Sequence, residues 1–241
     1  MRARAEFLEM VTGGGLPREL IFETLSAQYE KLAGAESYDA ITLWFDGCLL
    51  DQSMLCHILT CMRIKSLETV KLICVGEFPG IEPFDGLGQL SPEQLASIYD
   101  RRQNVTKGQF DFAERVERAF ALQDLSELII LAGLRRAPLP WGPSAAARWL
   151  QEQPDEATGM GQLEKLALQA VRSGLRTPRE IFIYSKAHDT HPVFWGDMTL
   201  WTKINNLATR IPPLVKLKGP IPFLPRWNDI ETLRSFRVYP T

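Results

Sequence analysis

The sequence predicts a mixed α/β protein: a small, partly parallel sheet with flanking helices, followed by a winged helix-turn-helix-like domain. Three observations point there. Two β-rich runs, ITLWF (41–45) and VKLICV (70–75), bracket one apolar helical segment, a spacing that suits a single right-handed crossover between parallel strands. Capped helical patterns then fill the chain to Pro154. Beyond it, three helical patterns precede two short strand-like runs, the order of a winged helix.

In chain order, Phe7, Leu8 and Met10 lead into a Gly13-Gly14-Gly15 break, and Leu20, Ile21, Leu25 and Tyr29 recur after it at helical spacing. The glycines form a turn and not a phosphate loop, because no strand precedes them and no Gly-Lys-Ser/Thr follows. A strand over 40–45, a helix over 49–62 and a strand over 70–75 come next. Ser91-Pro92-Glu93-Gln94 and Thr106 with Gln109 are capping boxes; the second opens a helix whose Phe112, Val116 and Phe120 share a face. A helix over 124–132, a rigid APLPWGP corner (137–143) and a helix over 144–153 complete the first domain, with room in the sheet for one more strand.

The polar stretch DEATGMG (155–161) places the boundary between an α/β domain, 1–156, and a C-terminal domain, 157–241. There, Leu163, Leu166, Ala167, Ala170 and Val171 line a helix ending at Gly174. Thr177-Pro178-Arg179-Glu180 opens a second helix with a full capping box. Asp197 is the expected cap of a third, carrying Leu200, Trp201, Ile204 and Leu207 and stopped by Pro212-Pro213. LVKLKG (214–219) and FRVY (236–239) read as the closing strands.

Composition narrows the function classes. Apolar residues at 45% and charged residues at 23% match soluble globular proteins. No apolar run approaches a membrane span, and no apolar core follows the arginines of MRARAEFLEM, so no signal peptide is expected. Cys48, Cys56, Cys61 and Cys74 form no CxxC pair and have apolar neighbours, as expected of buried free thiols in a reducing cytoplasm. Charge is uneven. Residues 1–157 hold 15 Lys+Arg against 23 Asp+Glu, net −8; residues 158–241 hold 12 against 6, net +6. Such asymmetry suggests units with different partners, or units that attract each other.

The densest polar signal is the corner after the first strand. Asp46 ends the strand where open α/β sheets present ligand groups, and Asp51 and Gln52 lie in the following turn. These three are the candidate catalytic or ligand-binding residues; helix capping by either carboxylate is the competing explanation. His57 falls on another side of the helix, and His188 and His191 have no metal-ligand spacing and read as a surface loop. Glu77 and Asp85 read as a solvated loop closing over the sheet. No metal or cofactor-binding residue is assigned. In the basic domain the third helix offers Thr199, Thr202, Lys203, Asn206 and Arg210 to bases or phosphates, and the wing offers Lys216, Lys218, Arg226, Arg234 and Arg237. Nucleic acid and a protein partner are both expected candidates for this domain. Trp201 is large for a helix position facing a groove.

Leu43-Trp44-Phe45-Asp46 with Asp51-Gln52, the segment GLGQLSPEQLASIYDRR (86–102), and the later LPW…ARWLQEQP and FWGD…LW resemble a bacterial family known as domain of unknown function 1835 with its companion C-terminal domain. The resemblance spans residues 38–241 and implies the two-part architecture. It carries no activity. Two departures stand out: the family's initial strand with a Gly-Asp-Ser-like turn is missing, through truncation or its absence from this member, and its acidic or histidine residues after the strand are here Gly47 and Cys48. The functional expectation is a cytoplasmic, non-enzymatic adaptor or regulator that binds a ligand or partner. The alternative is a hydrolase-like enzyme on a phosphorylated or nucleotide substrate that uses Asp46, Asp51 and Gln52. Nothing in the sequence fixes the oligomeric state.

Overall fold

The computed structural model describes residues 1–64, 70–227 and 229–241. Its elements run α1 (Arg2–Val11), α2 (Arg18–Ala33), β1 (Ile41–Asp46), α3 (Leu49–Ile64), β2 (Val70–Val75), α4 (Pro92–Ile98), β3 (Gln103–Asn104), α5 (Lys107–Leu122), α6 (Leu125–Ala132) and α7 (Gly142–Gln151). They continue α8 (Gln162–Arg172), α9 (Pro178–His188), α10 (Asp197–Thr209), β4 (Val215–Lys218), α11 (Ile230–Arg234) and β5 (Arg237–Pro240).

Two compact units emerge: residues 36–153 with 190–194, and residues 1–35 with 154–189 and 195–241. The chain passes from one to the other at 153/154, close to the expected boundary, but the division of 1–156 from 157–241 needs correcting at the front. Residues 1–35 group with the C-terminal segment. Ala5, Ile21 and Leu25 form a small core between α1 and α2, Arg226 donates to the Met10 carbonyl at 3.2 Å, and Trp227 lies against Gly15. Counted by unit, the charge asymmetry shrinks to −5 (11 Lys+Arg, 16 Asp+Glu) for the sheet unit and +3 (16 against 13) for the other.

The sheet unit is mixed α/β. β1 and β2 are parallel and in register from Ile41↔Val70 to Asp46↔Val75, joined through α3. The short β3 adds an antiparallel edge, Leu72↔Gln103 and Lys71↔Asn104, and Val105 N donates to Val70 O at 2.8 Å. On one face, register partners Trp44 and Ile73 pack with Phe84, Leu90 and Ile98. The loop 77–86 is therefore only partly the solvated segment expected: Phe78, Ile81 and Phe84 belong to this core, while Glu77 is exposed. α3 packs on α5 and α7, with Leu55, Cys56, Leu59, Phe112, Ala113, Val116 and Ala146 buried.

In the second unit, α8, α9 and α10 pack together around Leu163, Ala167, Ile181, Leu200, Ile204 and Leu207. β4 and β5 follow as an antiparallel ribbon, Val215↔Pro240 to Lys218↔Arg237. Val238 N donates to Arg176 O at 2.8 Å, tying the α8–α9 turn to the ribbon edge. The three expected capping boxes form at Ser91/Gln94, Thr106/Gln109 and Thr177/Glu180. Asp197 is not the cap of α10: Gly196 holds that position, and Asp197 bonds Met198 N from the first turn. None of the helices among the described residues is long and apolar enough to cross a membrane.

Candidate functional site

Asp46, Asp51 and Gln52 do come together at the end of β1, and their bonds run to the chain's own turn. Asp46 Oδ1 accepts from Cys48 N at 2.9 Å, and Asp51 Oδ2 accepts from Asp46 N at 2.8 Å. Asp51 N in turn donates to Cys48 Sγ at 3.3 Å. Gln52, with no exposed surface, donates its amide to Asp46 O at 2.6 Å and to Cys74 Sγ on β2 at 3.3 Å. All but the Gln52–Cys74 bond satisfy a backbone group that leaving a strand and entering a helix would otherwise orphan. Asp51 also sits in the first turn of α3, where the helix dipole favours negative charge.

Burial dominates the electrostatics. It raises the Asp51 carboxyl above the ordinary range, against the lowering bond from Asp46 N, with Asp46's own charge adding to the rise. Burial likewise pushes the Cys48, Cys56 and Cys74 thiols up to about 12. These are protonated, inert thiols at neutral pH. All four cysteines are free. Among the described residues, donor atoms of Asp46, Cys48 and Asp51 lie within 4.8 Å of one another and could hold a cation. Gln52 Oε1 is buried without a hydrogen-bond partner.

Two groups of the protein pack close to the corner. Gly47 and Gly76 follow the carboxyl ends of β1 and β2, and the Trp141 indole lies against both. A Cβ at Gly76 would overlap the Trp141 ring, so glycine there permits the close approach. Gly86, at φ 122°, approaches from the other strand-end loop; a Cβ on it would fall 2.5 Å from Asp46 Oδ2.

The other candidates have local partners. His57 Nδ1 lies 3.3 Å from Glu117 on α5. His188 stacks on Tyr184 and meets the Tyr184 carbonyl at 2.8 Å, on the surface as expected. His191 is not a free surface residue: its Nδ1 is 2.8 Å from Asp85, within the sheet unit.

On α10, Trp201 turns inward against Phe182, ring centroids 6.1 Å apart. Thr202 has its hydroxyl buried without a partner, and Thr199 and Lys203 are half-buried. Arg210 is engaged by the carbonyls of Thr158 and Gly159, at 3.0 and 3.1 Å. Asn206 is exposed, as are Lys216, Lys218, Arg234 and Arg237 on and beside the ribbon. Arg226 is held by Met10 O. Concavities of about 690 Å³, floored by Phe182 and Trp201, and about 310 Å³, beside Gly13 and Trp227, lie in this unit.

Three residues with a part in these surfaces escaped the sequence: Trp141, Arg176 and Tyr239. Only Tyr239 left a signal, its alternation with Val238 in the last strand. No family model, curated protein or solved structure matches the chain.

Proposed function

We propose that the protein is a non-enzymatic adaptor or regulator of the bacterial cytoplasm. Its α/β unit is a folding scaffold for ligand or partner binding, and its C-terminal unit is a winged-helix-like module facing a protein or nucleic acid. One observation carries this: Asp46, Asp51 and Gln52 hold backbone groups of the β1–α3 turn, and Trp141 covers the strand ends. A catalytic carboxylate needs a substrate or water within reach. The order α8, α9, α10 and then the β4–β5 ribbon supports the winged-helix assignment.

The 4.8 Å cluster of Asp46, Cys48 and Asp51, with the unpartnered Gln52 Oε1, favours the second proposal, a cation-dependent enzyme on a phosphorylated or nucleotide substrate. Thermal-shift measurements with magnesium, manganese, zinc, nucleotides and sugar phosphates separate the two. A ligand at a hundred times its Kd stabilises the folded state by about 2.7 kcal/mol. A structural corner predicts no shift that depends on these carboxylates. A shift seen in the wild type and lost in both Asp46→Asn and Asp51→Asn would replace the adaptor with the enzyme.

A further inference from the structure

We infer that the exposed face of the β4–β5 ribbon is a binding surface for single-stranded nucleic acid. The inference names the partner for the adaptor proposed above and rests on that proposal. Residues directly opposite in an antiparallel pair share a face. Lys216 faces Tyr239 and Lys218 faces Arg237, all four exposed. The alternate positions, Val215 and Val238, are buried against the helices. One side of the ribbon is thus core and the other is three cations around one phenol ring.

A fourth cation joins them. The Arg176 guanidinium lies 5.8 Å from the centre of the Tyr239 ring, within range of a cation–π contact. It is held there by bonds from Nη1 to the carbonyls of Val171 and Leu175. Arg237 is anchored similarly, by the carbonyls of Arg234 and Phe236. Glu180, the acid that Arg237 faces, already accepts from Arg176 N, Thr177 N and the Thr177 hydroxyl.

Cations that track a backbone beside a ring on which a base can stack are how single strands are gripped without sequence readout. Lys216 and Lys218 are two residues apart on a strand, roughly 6.6 Å, on the order of the spacing between successive phosphates of an extended chain. The rigid, half-exposed Tyr239 supplies the stacking platform. Duplex readout needs an element that presents several side chains to base edges. α10 does not supply one, because Trp201 and the Thr202 hydroxyl are buried and Arg210 is bound to Thr158 and Gly159.

The test is fluorescence anisotropy of the full chain with a labelled oligodeoxythymidine, a single-stranded RNA and a mixed-sequence duplex, over a salt series. Single strands should bind at low salt, more tightly than the duplex, with affinity falling steeply as salt rises. Lys216→Gln with Lys218→Gln should cost tenfold or more and flatten the salt dependence. Tyr239→Ala should cost about tenfold while Tyr239→Phe retains binding. Lys203→Ala and Asn206→Ala should bind as the wild type does, and all variants should melt with it. No single-strand binding at low salt, ribbon variants that bind normally, or a duplex preference lost in Asn206→Ala would each overturn the ribbon assignment. They would leave the adaptor proposal standing, since that one falls only on ligand shifts or turnover that depend on Asp46 and Asp51.

Discussion

Gln52 shows how one buried side chain ties together three parts of the corner. Its amide reaches back to the last carbonyl of β1 and across to Cys74 of β2, so it fixes where α3 begins relative to both strands. The carbonyl end of the same side chain has no partner, and burying it costs free energy that the donor end must offset. Gln52→Ala should therefore destabilise the protein by about 2 to 3 kcal/mol, through the lost bond and a cavity. Gln52→Met, close in volume and free of the orphaned carbonyl, should cost clearly less; urea denaturation of the two variants compares them. Asp46, Asp51 and Gln52 were legible as a polar knot because they are close in sequence. What they bond was not. An Asp at a strand end looks the same whether it faces substrate or the N–H two residues on, and the Cys74 contact joins residues on different strands.

At the level of elements, the parallel crossover was legible from the apolar runs that a sheet covered on both faces requires. The three capping boxes were legible because they are i, i+3 devices. β3 was not: Gln103 and Asn104 are both exposed, and an edge of two polar residues leaves no hydrophobic alternation to detect. The cover over the strand ends was equally hidden. Trp141 reaches Gly47 and Gly76 from the start of α7, far along the chain, and nothing local in APLPWGP announces it. The contact makes a prediction. Gly76→Ala puts a methyl where the indole ring lies, so it should displace Trp141 and cost about 2 kcal/mol. A shift in tryptophan fluorescence should accompany the lower melting temperature.

Across the whole molecule, the joint near residue 154 was legible from its polar, glycine-containing composition. The membership of residues 1–35 was not, because their ties to the C-terminal segment run through Arg226 and Trp227, more than two hundred positions away. That reassignment halves the apparent positive charge of the second unit. It leaves the cations of the ribbon where they are: Lys216, Lys218 and Arg237 stay exposed, while Asp46 and Gln52 of the sheet unit are buried. The central claim is that the knot holds the fold together and does not handle a substrate. Amide hydrogen exchange at Asp46 and Cys48, read on the full chain with and without millimolar divalent cation, tests it most directly. Both amides should be strongly protected, Asp46 losing protection in Asp51→Ala and Cys48 in Asp46→Ala, with no response to the cation. Fast exchange at both amides in the wild type, or protection that changes when the cation is added, would contradict it.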